Sequence, residues 1–201
     1  LRYTFHLRKD VVFHDGTLFT AHAMKISLDR AREPQNKSQL AGGLLGSYRE
    51  SRVVDEHCLE IILDSPYALL LDALSQGWLA PVAPTCATSA GSTFITHPVG
   101  TGPFRFVRWD KGDCLIIRRN EAYAWAPPVV DNAGPPLVDE ILFKFLPDDN
   151  ARTAALLDGS VDMILAANPA DAQTLWATAG LAVTTWPIRG VPVSLMMNIK
   201  R

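Results

Sequence analysis

The pattern that most constrains the fold lies in the first 32 residues. Apolar and polar side chains alternate from Tyr3 to Arg8, which is typical of a half-buried strand, and Val11 to Phe13 predicts a second short strand. Asp15-Gly16 predicts a turn, because glycine tolerates positive φ and aspartate can bond its own backbone. Thr20 then predicts an N-cap for a helix over about residues 21–32. This region is therefore predicted as strand, strand, turn and capped helix.

The remainder of the first hundred residues predicts an α+β domain. Residues 48–54 and 58–63 form a predicted hairpin around Asp55-Glu56. Pro66-Tyr67 opens a short apolar helix that continues through Leu74. Residues 80–98 are rich in Pro, Thr, Ser and Gly and almost uncharged, so they predict a passage between two lobes.

Strands and helices alternate in the second half. A hairpin turned at residues 111–113 precedes a strand at 138–146, a helix that starts near Asp148 and a strand at 161–165. The clearest helix is predicted at 169–179, with Asn168 as N-cap and Gly180 after its end. Two more strands are predicted at 181–186 and 191–199. The β-α-β-α-β-β order favours an α/β sheet for residues 100–201.

Composition excludes several classes of protein. The chain has 201 residues, 48% of them apolar, and a net charge of −2, which argues against a general polyanion binder. The sequence contains no run of 18 apolar residues, so it predicts no membrane span. Leu1 begins within a strand pattern without a preceding signal peptide, so the sequence is expected to be a piece of a longer protein.

No catalytic or metal-binding set is predicted. His6, His14 and His22 recur every eight residues but are interpreted as exposed or turn histidines, and Asp148-Asp149 as a helix cap. The three cysteines, Cys58, Cys86 and Cys114, lack CxxC spacing and are interpreted as unpaired structural thiols. The sequence therefore predicts no enzyme, no metal site and no cofactor.

Aromatic residues and one helix start are the binding candidates. Trp176 lies on the apolar face of its predicted helix and is predicted to be structural. Trp78 and Trp186 are predicted either to line a pocket or to be part of the core. Leu165 to Asn168 form the end of a predicted strand that runs into a capped helix, and ligands of open α/β sheets bind at such strand ends. The alternative is that Asn168 only caps the helix.

Three blocks of the chain, in order, resemble family 5 solute-binding proteins, the peptide, nickel and related receptors of ABC importers. The first block runs from Thr4 to Ala21 and contains Phe13-His14-Asp15-Gly16. The second runs from Pro98 to Tyr123 and contains Gly100-Thr101-Gly102-Pro103-Phe104, and the third runs from Val138 to Asp162. Together they cover most of the chain.

The resemblance implies part of a two-lobed periplasmic-binding-protein fold, type II and cluster C-like, with α/β plus α+β structure. Residues 1–99 would be a small α+β domain, incomplete at its N-terminus, and residues 100–201 part of the α/β lobe I, while the second ligand-binding lobe is missing. The fold would close over a small-molecule or peptide ligand and dock on ABC transporter permease subunits. A periplasmic or extracellular location is implied, with a lipid anchor left open for the full-length protein. An oxidising compartment leaves one disulfide open.

The resemblance also selects site residues, because peptide-binding members carry a similar Asn-Pro-Ala-Asp and the residues before it face the ligand cleft. The predicted ligand-binding residues are Leu165, Ala166, Ala167, Asn168, Trp186, Gly190 and Trp78. Two alternatives remain: a ligand-sensing domain of a transcription regulator, and a nickel or metal-chelate receptor of the same family. Ser75-Gln76-Gly77-Trp78 lacks the Arg of the nickel branch, which weakens the second alternative.

Overall fold

The computed structural model describes residues 1–87, 92–165 and 167–185. The strands are β1 Arg2–His6, β2 Tyr48–Asp55, β3 Cys58–Leu63, β4 Phe104–Asp110, β5 Cys114–Arg119 and β6 Glu140–Lys144. The α-helices are α1 Ala21–Arg32, α2 Gln39–Leu44, α3 Leu70–Ser75, α4 Pro84–Ala87, α5 Ser92–Thr96, α6 Asp149–Leu157 and α7 Ala172–Ala177. Short 3₁₀ helices occupy Pro34–Asn36, Gly77–Leu79 and Pro169–Asp171. The chain divides into two compact units, Leu1–Phe145 and Leu146–Arg201.

The first sheet has the antiparallel order β1-β3-β2. Phe5 pairs with Leu59 and Tyr3 with Ile61, so their alternating apolar side chains share one face. The β2–β3 turn is fixed by the backbone N–H of His57, which donates to Asp55 Oδ1 at 2.7 Å. This confirms the hairpin that period-2 alternation predicted.

Helix α1 covers the first sheet, and two hydrogen bonds fix its N-terminal end. Thr20 Oγ1 accepts from the backbone N–H of Ala23 at 3.2 Å, which confirms the predicted N-cap, and the N–H of Ala21 donates to Glu56 O at 2.8 Å. Leu28 packs with Leu45, Leu59, Ile61 and Leu70 in a core where each is at most 1% exposed. Full burial of one such side chain contributes about 1.5–3 kcal/mol.

The second sheet of the first unit is an antiparallel meander, β4-β5-β6. Gly112 turns β4 into β5 with φ of +82°, a conformation that glycine adopts without steric cost. Cross-strand pairing puts apolar residues on one face of all three strands: Phe104, Phe106, Trp109, Leu115, Ile117, Ile141 and Phe143. The opposite face is largely charged, with Arg118 paired to Glu140 at 3.0 Å.

The second unit contains α6 and α7. Asp148 Oδ1 caps α6 by accepting from the N–H of Ala151 at 2.8 Å, which confirms the predicted helix start. Thr153 on α6 donates its hydroxyl proton to Asp171 Oδ2 at 2.7 Å, so a half-buried hydrogen bond joins α6 to the last residue before α7. Gly180 follows α7 with φ of +85°.

Several predicted strands are wrong. Residues 11–13 form only an isolated bridge, between Val12 and Leu18. Residues 161–165 form no strand, because the N–H of Val161 turns back to Ala155 O at 3.1 Å and satisfies the end of α6 instead of a neighbouring strand. Residues 181–185 are also irregular, so the β-α-β-α-β-β order does not hold, and the strand predicted at 191–199 lies outside the described residues.

Two boundaries differ from the sequence prediction. The helix predicted from Pro66 begins at Leu70. The division between the compact units falls between residues 145 and 146, whereas the predicted domain boundary at residues 99 and 100 falls within the first unit. The assignment of residues 1–99 and 100–201 to two lobes stays a prediction.

Candidate functional site

Trp78 is held in a short 3₁₀ helix that exposes its indole ring. Its neighbour Leu79 is 4% exposed and anchors the turn in the core, while Trp78 itself is 64% exposed. The N–H of Leu79 donates to Gln76 O at 3.0 Å and fixes the turn. The side chains of residues 75–78 carry no charge, so this surface offers aromatic and neutral polar contacts.

Leu165 and Asn168 flank the start of the Pro169–Asp171 helix in the second unit. Leu165 is 72% exposed. Asn168 Oδ1 accepts from the N–H of Ala170 at 3.0 Å, so Asn168 is a cap, as predicted, but of a 3₁₀ helix. The α-helix predicted at 169–179 is wrong in its bounds, because only Ala172–Ala177 is α-helical. Asn168 is half-buried, and a ligand role for its Nδ2 donor stays a prediction. Ala167 is exposed, and Ala166 lies outside the described residues.

Three tryptophan and glycine predictions have different outcomes. Trp186 and Gly190 lie outside the described residues, and their ligand roles stay predictions. The prediction that Trp176 lies in the core is wrong, because Trp176 is 56% exposed and Leu175 is the buried residue of α7 at 2%. Adjacent helix positions differ by about 100° around the axis, so burial of Leu175 turns Trp176 toward solvent.

The cysteines agree with the interpretation of unpaired thiols. Cys58, Cys86 and Cys114 are buried and free, so none of the three forms the disulfide left open by the sequence. Burial raises the pKa of the Cys114 thiol, and the nearby Asp110 carboxylate raises it further. A protonated thiol is a poor metal ligand.

One cluster of metal-type ligands lies at the β4–β5 turn. Atoms of Asp110, Asp113 and Cys114 lie within 4.8 Å of one another. Asp110 is already paired with Arg108 at 3.0 Å, and the Cys114 thiol donates to Asp110 at 3.5 Å. This cluster is explained by its internal hydrogen bonds.

His14 has a different environment from the other two histidines of the eight-residue repeat. His6 and His22 are exposed, as predicted. His14 is half-buried, and both of its ring nitrogens contact the backbone of the segment before β4: Nε2 lies 2.9 Å from Gly102 O, and Nδ1 accepts from the N–H of Gly100 at 3.4 Å. Burial lowers the pKa of His14, and Arg105 lowers it further, although the Gly102 carbonyl opposes both.

Asp15, the next residue, ties the same turn to α4. Its Oδ1 accepts from the N–H and hydroxyl of Thr17 at 3.0 and 2.7 Å, and its Oδ2 accepts from Thr85 Oγ1 at 2.6 Å. Burial alone would raise the pKa of Asp15, but hydrogen bonds from Thr85 and Thr17 lower it overall. Asp15 is therefore a structural anion.

Arg105 and Asn120 complete this region and were missed by sequence reasoning. Arg105 donates to His14 O at 3.0 Å and to Asn120 Oδ1 at 2.6 and 3.0 Å, and Asn120 is 1% exposed. All of these residues belong to the first two resemblance blocks, and the two blocks are in contact here. Their membership of the blocks was visible in the sequence, but spacing along the chain could not show that the blocks are in contact.

A cavity of about 490 Å³ adjoins His14 on the apolar face of the second sheet. Its lining is apolar apart from His14: Ile95, Pro98, Gly100, Phe104, Phe106, Trp109, Leu115, Ile117 and Phe145. Within the described residues it offers no carboxylate, guanidinium or ammonium group.

Solved structures define the class of protein to which this fold belongs. Residues matching 89% of the chain superpose on the periplasmic binding protein AgaA of A. tumefaciens R10, solved with agropinic acid, with a TM-score of 0.78 and 30% identity. The periplasmic binding protein DppA of Helicobacter pylori, solved with peptide STSA, gives a TM-score of 0.76 over 89% of the chain at 24% identity, which shows the fold alone. The predicted periplasmic-binding-protein fold is confirmed.

The family follows from sequence. The model of the bacterial extracellular solute-binding proteins, family 5 Middle, matches residues 1–201, and the chain belongs to this family. The glutathione-binding protein GsiB of Pectobacterium atrosepticum is 34% identical over 159 residues, 79% of the chain. The chain spans 29% of GsiB and 34–38% of AgaA and DppA. The three resemblance blocks identified the same family.

Proposed function

We propose that the protein is the solute-binding receptor of an ABC importer and captures a peptide or similar small solute. The observation that carries this proposal is the family match over residues 1–201. It is supported by a glutathione-binding relative and by neighbours solved with a peptide and with agropinic acid.

Binding would work by closure of two lobes over the solute. A ligand shifts the equilibrium toward the closed form only by the difference between its affinities for the closed and open forms. The closed form would then dock on permease subunits. Trp78 offers an exposed aromatic surface, Leu165 an apolar contact and Asn168 an amide donor, so this chain would supply neutral contacts to the solute.

The receptor role also accounts for the site chemistry. A hydrolase or transferase needs a nucleophile, a base and an orienting group within hydrogen-bond reach. The half-buried His14 has both ring nitrogens committed to backbone groups, and Asp15 is bonded to Thr17 and Thr85. We therefore expect binding without turnover of peptide or ester substrates.

Location and partners follow from the same proposal. Relatives include periplasmic binding proteins, so the receptor would work in the periplasm or outside the cell, with a lipid anchor as one way to retain it there. Among the described residues, no helix has the length and apolar character needed to cross a membrane. A net charge of −2 gives no general attraction to nucleic acid.

The family alternatives are less well supported by this chain. A nickel-chelate receptor would gain from a cation near Trp78 to hold the carboxylates of a chelator, and residues 75–78 carry none. A ligand-sensing domain of a transcription regulator predicts a helix-turn-helix encoded upstream of Leu1, whereas an importer receptor predicts a signal peptide or lipobox there. The genomic sequence upstream separates these two.

The experiment that tests the proposal is native mass spectrometry of the purified full-length protein, followed by titration calorimetry with the solute it retains. We expect one small solute, and Trp78→Ala should weaken its binding by about tenfold or more, the loss of roughly 1.4 kcal/mol. Trp176→Ala is the matched control, because it removes another indole that is 56% exposed. Equal affinity of the two variants would contradict the role of Trp78, and turnover of the solute would contradict the receptor function.

A further inference from the structure

A polar joint at His14 connects the loop between β1 and α1, and through it the first sheet, to the second sheet. We call His14, Gly100, Gly102, Arg105 and Asn120 the His14 joint. His14 follows the first strand, Gly100 and Gly102 precede β4, Arg105 lies on β4 and Asn120 directly follows β5. The N–H of His14 also donates to Gly100 O at 2.9 Å, so backbone and side chain bind the same segment.

The joint accepts only the neutral imidazole. The Gly100 N–H can only donate, so Nδ1 must carry a lone pair, and the Gly102 carbonyl can only accept, so Nε2 must carry the proton. Protonation at Nδ1 would place an N–H against the N–H of Gly100 and break that hydrogen bond. A single proton therefore converts an attractive contact into a repulsive one.

The surroundings resist a positive charge at this ring. From β4, the Arg105 guanidinium donates to His14 O at 3.0 Å, so a fixed cation already lies beside the residue. Asn120 Nδ2 donates to Gly102 O at 3.3 Å and shares that acceptor with the ring. The nearby side chains of Ile95, Pro98, Phe104 and Phe106 are apolar and offer no carboxylate to an imidazolium.

The carboxylate of Asp15, next to His14 in the chain, is committed elsewhere. Asp15 attracts a protonated His14 through space, but its carboxylate oxygens accept from Thr17 and Thr85 and hold the turn against α4. Turning Asp15 toward the ring would break at least one of these bonds. The described neighbours thus favour neutral His14 in the assembled joint.

We propose that His14 is an acid-sensitive switch: uptake of a proton at Nδ1 releases the 99–103 segment and loosens the coupling between the two sheets of the first unit. The step is a simple protonation, imidazole to imidazolium, with the Gly100 hydrogen bond broken and no covalent change. The receptor function proposed above does not require this conformational response of the first unit to acid.

The direction of the pH response follows from the environment of the ring. Because the pKa of folded His14 lies below its unfolded value of about 6.5, His14 contributes stability above about pH 6.5. That contribution is lost as the pH falls below about 6.5 and through the folded pKa. The joint is therefore closed at neutral pH and opens in acid.

The test is amide hydrogen exchange of the full-length protein between about pH 7.5 and pH 5, a range in which unperturbed histidines titrate. We expect the protection factor of the Gly100 amide to fall by about tenfold, which converts to about 1.4 kcal/mol and is in the range for the loss of one hydrogen bond. His14→Gln should remove this pH dependence, because its amide can donate to Gly102 and accept from Gly100 without titrating. His22→Gln is the control, since His22 is exposed, and should keep the wild-type response.

A second measurement keeps the proposal testable if His14→Gln does not fold. The ¹⁵N chemical shifts of the wild-type imidazole should show the Nε2–H tautomer at neutral pH and titrate together with the exchange of Gly100. An Nδ1–H tautomer, a pH-independent Gly100 amide, or an unchanged pH response in folded His14→Gln would each overturn the proposal.

Discussion

The two sheets of the first unit have similar strand patterns but very different burial. Leu59, Ile61 and Leu63 on β3 are at most 3% exposed because α1, α2 and α3 cover their face. Trp109, Phe143 and Phe145 on the apolar face of the second sheet are 39–41% exposed. An apolar sheet face is stable only when another layer covers it. The first sheet therefore carries its own core, and the layer that would complete the second sheet is not among the described residues.

The difference predicts where substitutions act most strongly. Leu59→Ala in the first sheet should lower the free energy of unfolding by about 2–5 kcal/mol, because it leaves a cavity in a packed core. Leu115→Ala is the matched control on the apolar face of β5, where the side chain is only half-buried, and should cost less, about 1 kcal/mol. Urea denaturation of both variants measures the contrast. Equal losses would show that the second sheet is packed as tightly as the first.

One turn glycine beside each sheet is expected to differ in the same way in its tolerance of a side chain. Gly46, before β2, has φ of +52°, and a Cβ there would lie 2.7 Å from the Tyr67 ring, which is held by its hydroxyl bond to Leu44 O. Gly46→Ala should cost about 2–4 kcal/mol, from backbone strain and overpacking together. Gly112→Ala, with φ of +82° and open space around it, should cost about 1–2 kcal/mol from strain alone. Thermal denaturation compares the two; a larger loss for Gly112→Ala would contradict this account.

Each unit contains a helix cap whose contribution to stability can be measured. Thr20→Ala and Asn168→Ala should each cost about 1 kcal/mol, whereas Thr20→Ser and Asn168→Asp should be nearly neutral because they keep an oxygen acceptor. Solute titration adds a second readout, since a contact through Asn168 Nδ2 predicts weaker binding by Asn168→Asp at unchanged stability. If Asn168→Asp binds as well as the wild type, Asn168 is only a cap.

Local signals predicted local structure well. The N-caps Thr20, Asp148 and Asn168 were predicted because a cap depends on a few adjacent residues. The β2–β3 hairpin was predicted because period-2 alternation and an Asp turn lie in one short stretch. Family and fold were predicted from three motif blocks.

The failures share a cause in contacts that are distant along the chain. A strand needs a partner, and residues 161–165 have the composition of a strand but bond back to α6 through Val161. Helix periodicity placed Trp176 in a core, although α7 ends at Ala177 and buries Leu175. The His14 joint joins residues 86–91 positions apart, and no sequence spacing reveals such a meeting.

In the proposed receptor, this chain supplies one part of a two-lobed solute site. Titration calorimetry of residues 1–201 and of the full-length receptor, with the solute identified by mass spectrometry, tests it directly. A site enclosed by two lobes buries about 70–90% of a small ligand, so residues 1–201 alone should bind no better than about millimolar, roughly −4 kcal/mol. The full-length receptor should bind far more tightly. Micromolar binding by residues 1–201 alone would contradict the account and place the whole site within this chain.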